Sequence, residues 1–400
     1  MKLKLAVLFG GKSVEHEISV ISALQAVAAL DGEKYDVLPV YITKENAFYI
    51  GDDMGKIEAF KDIPALLKRS QQVVPARLDG KAVLLRQPAK KFGQQVLAEL
   101  DCVLPVVHGT NVEDGTLQGF LRLLGVPFAG CDVASSALGM DKYAQKCVFR
   151  DNGIPVLDCL CVRAREYDND PDKIIGRIEK KFAFPVIVKP VNLGSSVGIT
   201  KANDAAGLQR ALELAFRFAP QVLVEPAVQH LREINCAVLG DADGARASVC
   251  EEPLNADEIL SYENKYMSGG KGGKAGPKNA SEGSKGMASL ERKIPAEIAP
   301  EQAGRVQALA VKAFECLGCC GVARIDFLMD GKTGELWLNE INTIPGSLSF
   351  YLWEATGLPY PKLLDEVVRL AFARQRENED LTFSFDTNVL ASANFGGAKT

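Results

Sequence analysis

The chain has 400 residues, enough for two or three domains with large cores. Hydrophobic residues make up 47% and charged residues 24%, the balance of a soluble globular protein, and a formal net charge of -5 leaves no overall basic field for nucleic acid. No stretch approaches the roughly 18 apolar residues of a bilayer span, and the apolar run after Met1 is too short for a leader.

That first run, Leu3–Gly10, reads as a strand, followed by a Gly-Gly turn and an amphipathic helix through Ile18, Ile21, Leu24 and Ala28. A strand at Tyr35–Tyr41 completes a βαβ unit of a parallel sheet. The turn resembles a dinucleotide loop but lacks the full GxGxxG spacing. Glu15, near the helix start, is either a capping carboxylate or a holder of an ammonium group. Asp101–Val107 is a buried strand ending in His108-Gly109, and Glu113-Asp114-Gly115 opens a helix whose N-terminus favours anions. His108, one of three histidines, stands at the sheet edge where α/β folds bind ligands, so it is structural or substrate-binding. Ala134–Asn152 reads as one helix closed by Gly153.

Phe184–Lys189 is an apolar strand leading into a loop with Gly194, Ser195, Ser196 and Gly198. Its N–H groups and hydroxyls suit phosphate oxygens, with Lys189 as the cation; a tight hairpin turn is the alternative. The lysine precedes the glycines, so this is not a P-loop. Strands follow at Gln221–Glu225 and Glu233–Leu239. The stretch 268–286, SGGKGGKAGPKNASEGSKG, cannot bury a core and is either filler or a lid over an anion. A helix over Pro300–Leu317 leads to RIDFLMDGKTGELWLNEINTIPGS, a hairpin. Strand alternation places Arg324, Asp326 and Leu328 on one face of its first run, and Leu336, Leu338, Glu340 and Asn342 on one face of the second. Two carboxylates and an amide oxygen ending a leucine-lined surface suit a hard cation such as Mg²⁺, which keeps substrate phosphates among its ligands. A hairpin with a wet polar end is the alternative. After Ala373 the periodicity fades, and a loosely attached tail is expected. The ten cysteines lie mostly in apolar runs, and the CxxC at 316–319 has no second pair for zinc, so reduced thiols and a cytoplasmic setting are expected.

Eight segments in register, GGKSVEHEIS, HGTxxEDGTLQG, MDK, KPxxxGSSVGI, REINCAVLG, ENKY, ARIDF and NEINTIPGS, together resemble the D-alanine–D-alanine ligases of the ATP-grasp superfamily. The resemblance covers roughly Lys4 to Ala371. It implies an α/β fold of three domains: an N-terminal parallel α/β substrate domain (1–133), a central ATP-grasp subdomain (134–229) and a C-terminal one (230–373) with the lid at 267–286, then the tail 374–400. The two ATP-grasp subdomains would clamp ATP. Lys142, Lys189 and Ser196 would contact its phosphates and Lys265 the γ-phosphate, with Glu225 at the adenine and Glu233 at the ribose. Asp326, Glu340 and Asn342 would hold two Mg²⁺ ions, or Mn²⁺. Glu15 looks like the residue that takes the first substrate's ammonium, with Ser195 and Tyr266 as partners. Arg324 and the Gly346 amide would stabilise the oxyanion, and His108 would serve the substrate.

The implied activity joins two D-alanines through an acyl phosphate, for peptidoglycan precursors, in a cytoplasmic homodimer with no nucleic-acid or membrane partner. Three positions depart from the family pattern. Val112 stands where glycine is usual, Pro226 where many members carry lysine, and SLSFYLWE replaces a Thr/Ser-rich run. Ser347, Ser349 and Tyr351 are the candidates there for the second substrate's carboxylate. Tyr266 resembles D-alanine users more than D-lactate users, and D-serine stays open as acceptor. A degenerate ATP-binding regulator is the non-enzymatic alternative.

Overall fold

The computed structural model describes residues 2–194, 197–254, 292–385 and 387–388. The first unit holds β1 (Leu3–Gly10), α1 (His16–Ala29), β2 (Tyr35–Ile42), β3 (Phe48–Ile50), α2 (Ile63–Lys68), β4 (Gln71–Leu78), β5 (Lys81–Arg86), β6 (Val96–Leu100), β7 (Cys102–Pro105) and α3 (Thr116–Leu124). Its seven strands run in the order β6-β5-β4-β3-β2-β1-β7. Only β2, β1 and β7 are parallel, with Leu3 opposite Tyr35 and Leu5 opposite Cys102. The remaining pairs are antiparallel, so the expected parallel sheet is a mixed one. The cause is legible in RLDGKAV: Asp79 and Gly80 both take positive φ (50° and 78°) and make a two-residue hairpin between β4 and β5.

The second unit holds α4 (Val133–Met140), α5 (Lys142–Asp151), β8 (Leu160–Arg163), α6 (Ala164–Asn169), α7 (Pro171–Lys181), β9 (Val186–Pro190), β10 (Thr200–Ala202), α8 (Ala205–Phe216) and β11 (Gln221–Pro226). Four antiparallel strands, β10-β9-β11-β8, bury Val186, Val188, Val222 and Val224 against Ile178, Leu208 and Leu212. The single helix expected over 134–152 is two. Asp141 is extended (φ -93°, ψ 101°), and its carboxylate accepts the free N–H groups of Tyr143 and Ala144. An aspartate starts a helix more readily than it continues one, so α5 begins afresh and turns Lys142 toward the cleft.

The third unit holds β12 (Leu231–Gly240), β13 (Ala245–Pro253), β14 (Arg292–Lys293), α9 (Pro300–Cys316), β15 (Gly321–Asp330), β16 (Leu336–Asn342), α10 (Phe350–Ala355) and α11 (Tyr360–Glu379). Its strand order is β14-β13-β12-β15-β16, with Ile325, Phe327, Leu338 and Ile341 packed against Val306, Ala310 and Phe314 of α9. The α11 helix returns to the first unit. Leu363, Leu364, Val367 and Val368 share a core with β1 and β7, and Tyr35 Oη donates to Asp365 Oδ1 at 3.0 Å. The helix does not end at Ala373. It runs to Glu379, and the Arg374 guanidinium donates to the carbonyls of Gly130 (2.6 Å) and Phe128 (2.5 Å), 4.3 Å from the Phe128 ring centre. The start of the expected loose tail is therefore anchored, through a contact that periodicity cannot reveal. Among the described residues no helix is long and apolar enough to cross a membrane.

Candidate active site

A cleft of about 400 Å³ opens where the three sheets meet. On the third unit its floor is the hairpin of β15 and β16. Arg324 pairs with Asn342 and Asp326 with Glu340, but Phe327 then pairs with Leu338, leaving Asn339 as an extra residue. This bulge reverses the alternation within β16. Leu336 and Leu338 enter the core, whereas Glu340 and Asn342 line the cleft with Arg324, Asp326 and Leu328. The expectation that Leu336 and Leu338 share a face with Glu340 and Asn342 is thus corrected; the polar group itself is assembled.

Within it, Arg324 donates twice to Asp326, Nε to Oδ1 and Nη2 to Oδ2, both at 2.7 Å, and Asn342 Nδ2 donates to Oδ2 at 3.0 Å. Burial works against the guanidinium's charge, but Asp326 outweighs it and holds Arg324 well above its ordinary range. Burial pushes Asp326 up; Arg324 opposes this, and the charges of Glu340 and Glu251 add to it. Asp326 and Glu340 face each other across one ladder, each with a cation beside it, Arg324 and Lys142, and both line the cleft. Among the described residues no three His, Cys, Asp or Glu side chains stand together as a metal cluster. Two carboxylates plus the Asn342 amide fit a Mg²⁺ that draws its other ligands from phosphate and water.

The second unit supplies the lysines. Lys142 Nζ lies 2.9 Å from Glu340 Oε2 and donates to the Leu193 carbonyl at 2.7 Å. Lys189 Nζ meets Glu225 Oε2 at 2.6 Å and donates to Asn339 Oδ1 at 3.0 Å. Glu225 is held below the ordinary carboxylate range: burial opposes its charge, but Lys189 and Lys146 outweigh burial. Glu233 lines the same end of the cleft from β12.

From the first unit come Glu15, His108 and Glu113. His16 is pinned between the Gly11 carbonyl (2.7 Å) and Tyr41 Oη (2.8 Å), and Ser19 Oγ accepts from Gly10 N and donates to the Val106 carbonyl. These bonds fix the start of α1 and present Glu15 to the cleft, so close to Gly194 that a Cβ there would stand 2.5 Å from Oε2. His108 is buried, with Nδ1 2.9 Å from the Ile344 carbonyl and Nε2 2.9 Å from Ser22 Oγ. The carbonyl can only accept, so Nδ1 carries the proton; Ser22 donates to Nε2 and accepts from Ser347 N at 2.9 Å. The histidine and Ser22 therefore clamp the strand end that follows Asn342.

Glu113 clamps it from the other side, accepting from Gly109 N (2.9 Å) with one oxygen and from Ile344 N (2.8 Å) with the other. Val112 does not disturb this loop. Asn111 takes the left-handed conformation (φ 72°), and Val112 is buried over Gly11, with no room for a Cβ on that glycine.

Burial, then the charge of Glu15, raises Glu113 from its ordinary 4.5 to about 7, and burial lowers His108 from 6.5 to about 4. The signs oppose. As pH falls from 7 to 4.5, folded Glu113 takes up its proton before the unfolded chain does, which stabilises the fold. From 6.5 to 4 the unfolded histidine protonates first, which destabilises it. Glu113→Gln removes the first contribution, so urea denaturation should show this variant losing stability between pH 6.5 and 4.5 more steeply than the parent. Parallel curves would contradict the assignment.

Beyond Asn342, Gly346 lines the cleft, while Ser347 and Ser349 are fully buried. Ser347, Leu348 and Ser349 all take left-handed backbone (φ 53°, 51° and 49°), a conformation that costs L-residues about 1–2 kcal/mol each. Tyr351 stands one layer back from the cleft. Its Oη donates to Glu251 Oε1 at 3.2 Å, and the Arg292 guanidinium lies 4.2 Å from its ring centre. Arg292 Nη1 meets Glu251 Oε2 at 2.7 Å, and both line the cleft beside Arg324. Sequence reasoning missed Glu251, Arg292, Ser22 and Lys146. Lys146 alone carried a signal, one helical turn after Lys142. Ser195, Ser196, Lys265, Tyr266 and the expected lid 267–286 lie outside the described residues.

Family models describe this arrangement's relatives. One for the D-ala D-ala ligase N-terminus matches residues 4–131, and one for the D-ala D-ala ligase C-terminus matches 148–369. The D-alanine–D-alanine ligase of Caldicellulosiruptor bescii is 40% identical over 387 residues, covering 96% of this chain and 99% of that protein. Among solved structures, the D-alanine–D-alanine ligase from Coxiella burnetii has a TM-score of 0.76 at 31% identity, covering 94% of this chain and 96% of its own. The VanG D-Ala:D-Ser ligase from Enterococcus faecalis has a TM-score of 0.75 at 31% identity, covering 93% and 100%. The chain belongs to the D-alanine–D-alanine ligase family.

Proposed function

We propose that the chain is an ATP-dependent carboxylate–amine ligase that joins two D-alanines, releasing ADP and phosphate. The observation that carries this is Asp326 opposite Glu340 beside Arg324, with Lys142 reaching Glu340 from another unit. A carboxylate is a poor electrophile, so it is first phosphorylated by ATP, and the second amine then displaces phosphate from the acyl phosphate. Asp326, Glu340 and Asn342 would hold Mg²⁺ or Mn²⁺, which supplies charge neutralisation for phosphoryl transfer. Lys142 and Lys189 add fixed positive charge, with Ser196 and Lys265 assigned beside them by family resemblance. Glu225 and Glu233 serve the adenosine.

Glu15 receives the first substrate's ammonium, with Ser195 and Tyr266 as its partners. Arg324 and the Gly346 N–H face the developing oxyanion. His108, neutral with Nδ1 protonated, and Glu113 hold Ile344 in place, which fixes where Gly346 stands. A lid over 267–286 would keep water from the acyl phosphate. Family resemblance also supports a cytoplasmic homodimer that feeds peptidoglycan precursor synthesis.

The likeness to the D-Ala:D-Ser ligase makes the acceptor the point to test. Mass analysis of products from ATP, Mg²⁺ and an equimolar mixture of D-alanine, D-serine and D-lactate should give D-alanyl-D-alanine as the main product. A mixed peptide with D-serine, or the ester with lactate, as the main product would overturn the assignment.

A further inference from the structure

Behind the nucleotide end of the cleft lies a lysine that the ligation scheme above does not use. Lys146 is fully buried on α5, and its Nζ lies 2.7 Å from Glu225 Oε1. Lys189 Nζ holds the other oxygen of the same carboxylate at 2.6 Å. Glu225 and Lys189 line the cleft, whereas Lys146 does not. Glu225, 2.7 Å away, holds the Lys146 ammonium.

A buried ammonium is costly unless compensated, and a methionine or leucine would fill the same space without that cost. Two lysines share one carboxylate here, leaving one positive charge uncompensated within the trio. Were Lys146 absent, Glu225 and Lys189 would neutralise each other, and moving Lys189 toward a phosphate would strand a buried carboxylate. With Lys146 in place, Glu225 keeps a cation whichever way Lys189 turns.

We propose that Lys146 is a positioning residue for the nucleotide: it holds Glu225 from behind and so frees Lys189 for the phosphate. The inference rests on the ligase reading only for the identity of the anion. It predicts a cost on phosphate binding that a mere core lysine would not impose.

The test uses the full chain and titration calorimetry with ADP and with adenosine, alongside steady-state kinetics. Lys146→Met should weaken ADP binding and raise the KM for ATP by about thirtyfold, with less loss for adenosine and kcat within about threefold. Lys146→Arg should recover part of the loss. In a Glu225→Gln background the Lys146→Met change should leave ADP affinity within about threefold, because no carboxylate then competes for Lys189. In the single variant Lys189 still pairs with Glu225 at 2.6 Å, so no buried carboxylate is left without a cation in the unliganded chain.

ADP affinity unchanged in Lys146→Met, equal losses for ADP and adenosine, or an undiminished loss in the Glu225→Gln background would each overturn the proposal. Calorimetry needs no turnover. Parent protein that binds ADP yet forms no dipeptide would therefore sink the ligase reading and leave the Lys146 test standing.

Discussion

Replacing Glu340 with alanine is expected to lower D-alanine-dependent phosphate release by about 10²–10³-fold. Glu340 faces Asp326 across the ladder and receives Lys142 at 2.9 Å, so its loss removes one of the two proposed anionic metal ligands and the ion partner of a buried lysine. Glu340→Gln keeps the shape and removes the charge, and should lose nearly as much. A binding readout separates metal from fold: Mg²⁺ should tighten ADP binding to the parent and leave that of Glu340→Ala unchanged, with the unfolding temperature of the free chain within a few degrees. Unchanged Mg²⁺ dependence in the variant would remove the hairpin from the metal site.

The second large effect concerns Arg324. Its fork places two 2.7 Å bonds on Asp326 while its charge lies in the cleft, and a lysine cannot make both bonds at once. Arg324→Lys is expected to lower kcat for dipeptide by about 10²-fold, with a much smaller change in the KM for ATP. Because the proposed role lies in the attack of the amine, the first step should suffer less. Phosphate release should then exceed dipeptide formation, as stranded acyl phosphate is lost to water. Dipeptide and phosphate that stay equal while both fall would place Arg324 in the phosphorylation step instead.

Both residues stood out in the sequence, for reasons that show what a sequence carries. RIDF and NEIN put charged residues in apolar strands, and period-two alternation is enough to group Arg324 with Asp326 and Glu340 with Asn342. Alternation could not show the extra residue at Asn339, since a bulge is fixed by which strand lies opposite. The leucines therefore lie on the opposite face from the one alternation predicts, while Asp326, Glu340 and Asn342 still line the cleft together. The first sheet is mixed and not all-parallel for a related cause. Strands β1, β2 and β7 carry the unbroken apolar runs that signal parallel pairing, whereas the hairpin at Asp79-Gly80 joins less buried strands.

Contacts between units were the least legible part. Nothing in NTIPGS reveals that Ile344 is gripped by His108 and Glu113 from more than two hundred residues away. Likewise the pairing of Lys146 with Glu225 joins an α5 lysine to the end of β11, and only the fold puts them together. The resemblance supplied roles for Glu15, Lys189 and Glu233 that residue chemistry alone left open. It was silent on Glu251 and Arg292, which hold Tyr351 of the departing SLSFYLWE segment.

The central claim is that one carboxylate is phosphorylated and then attacked by the amine of a second molecule. Oxygen transfer reads this directly. With D-alanine labelled with ¹⁸O in its carboxylate, ATP and Mg²⁺, mass spectrometry should find one ¹⁸O in each inorganic phosphate released, and D-alanyl-D-alanine formed in equal amount. Phosphate carrying no label, or labelled phosphate without dipeptide from the unaltered protein, would contradict the account.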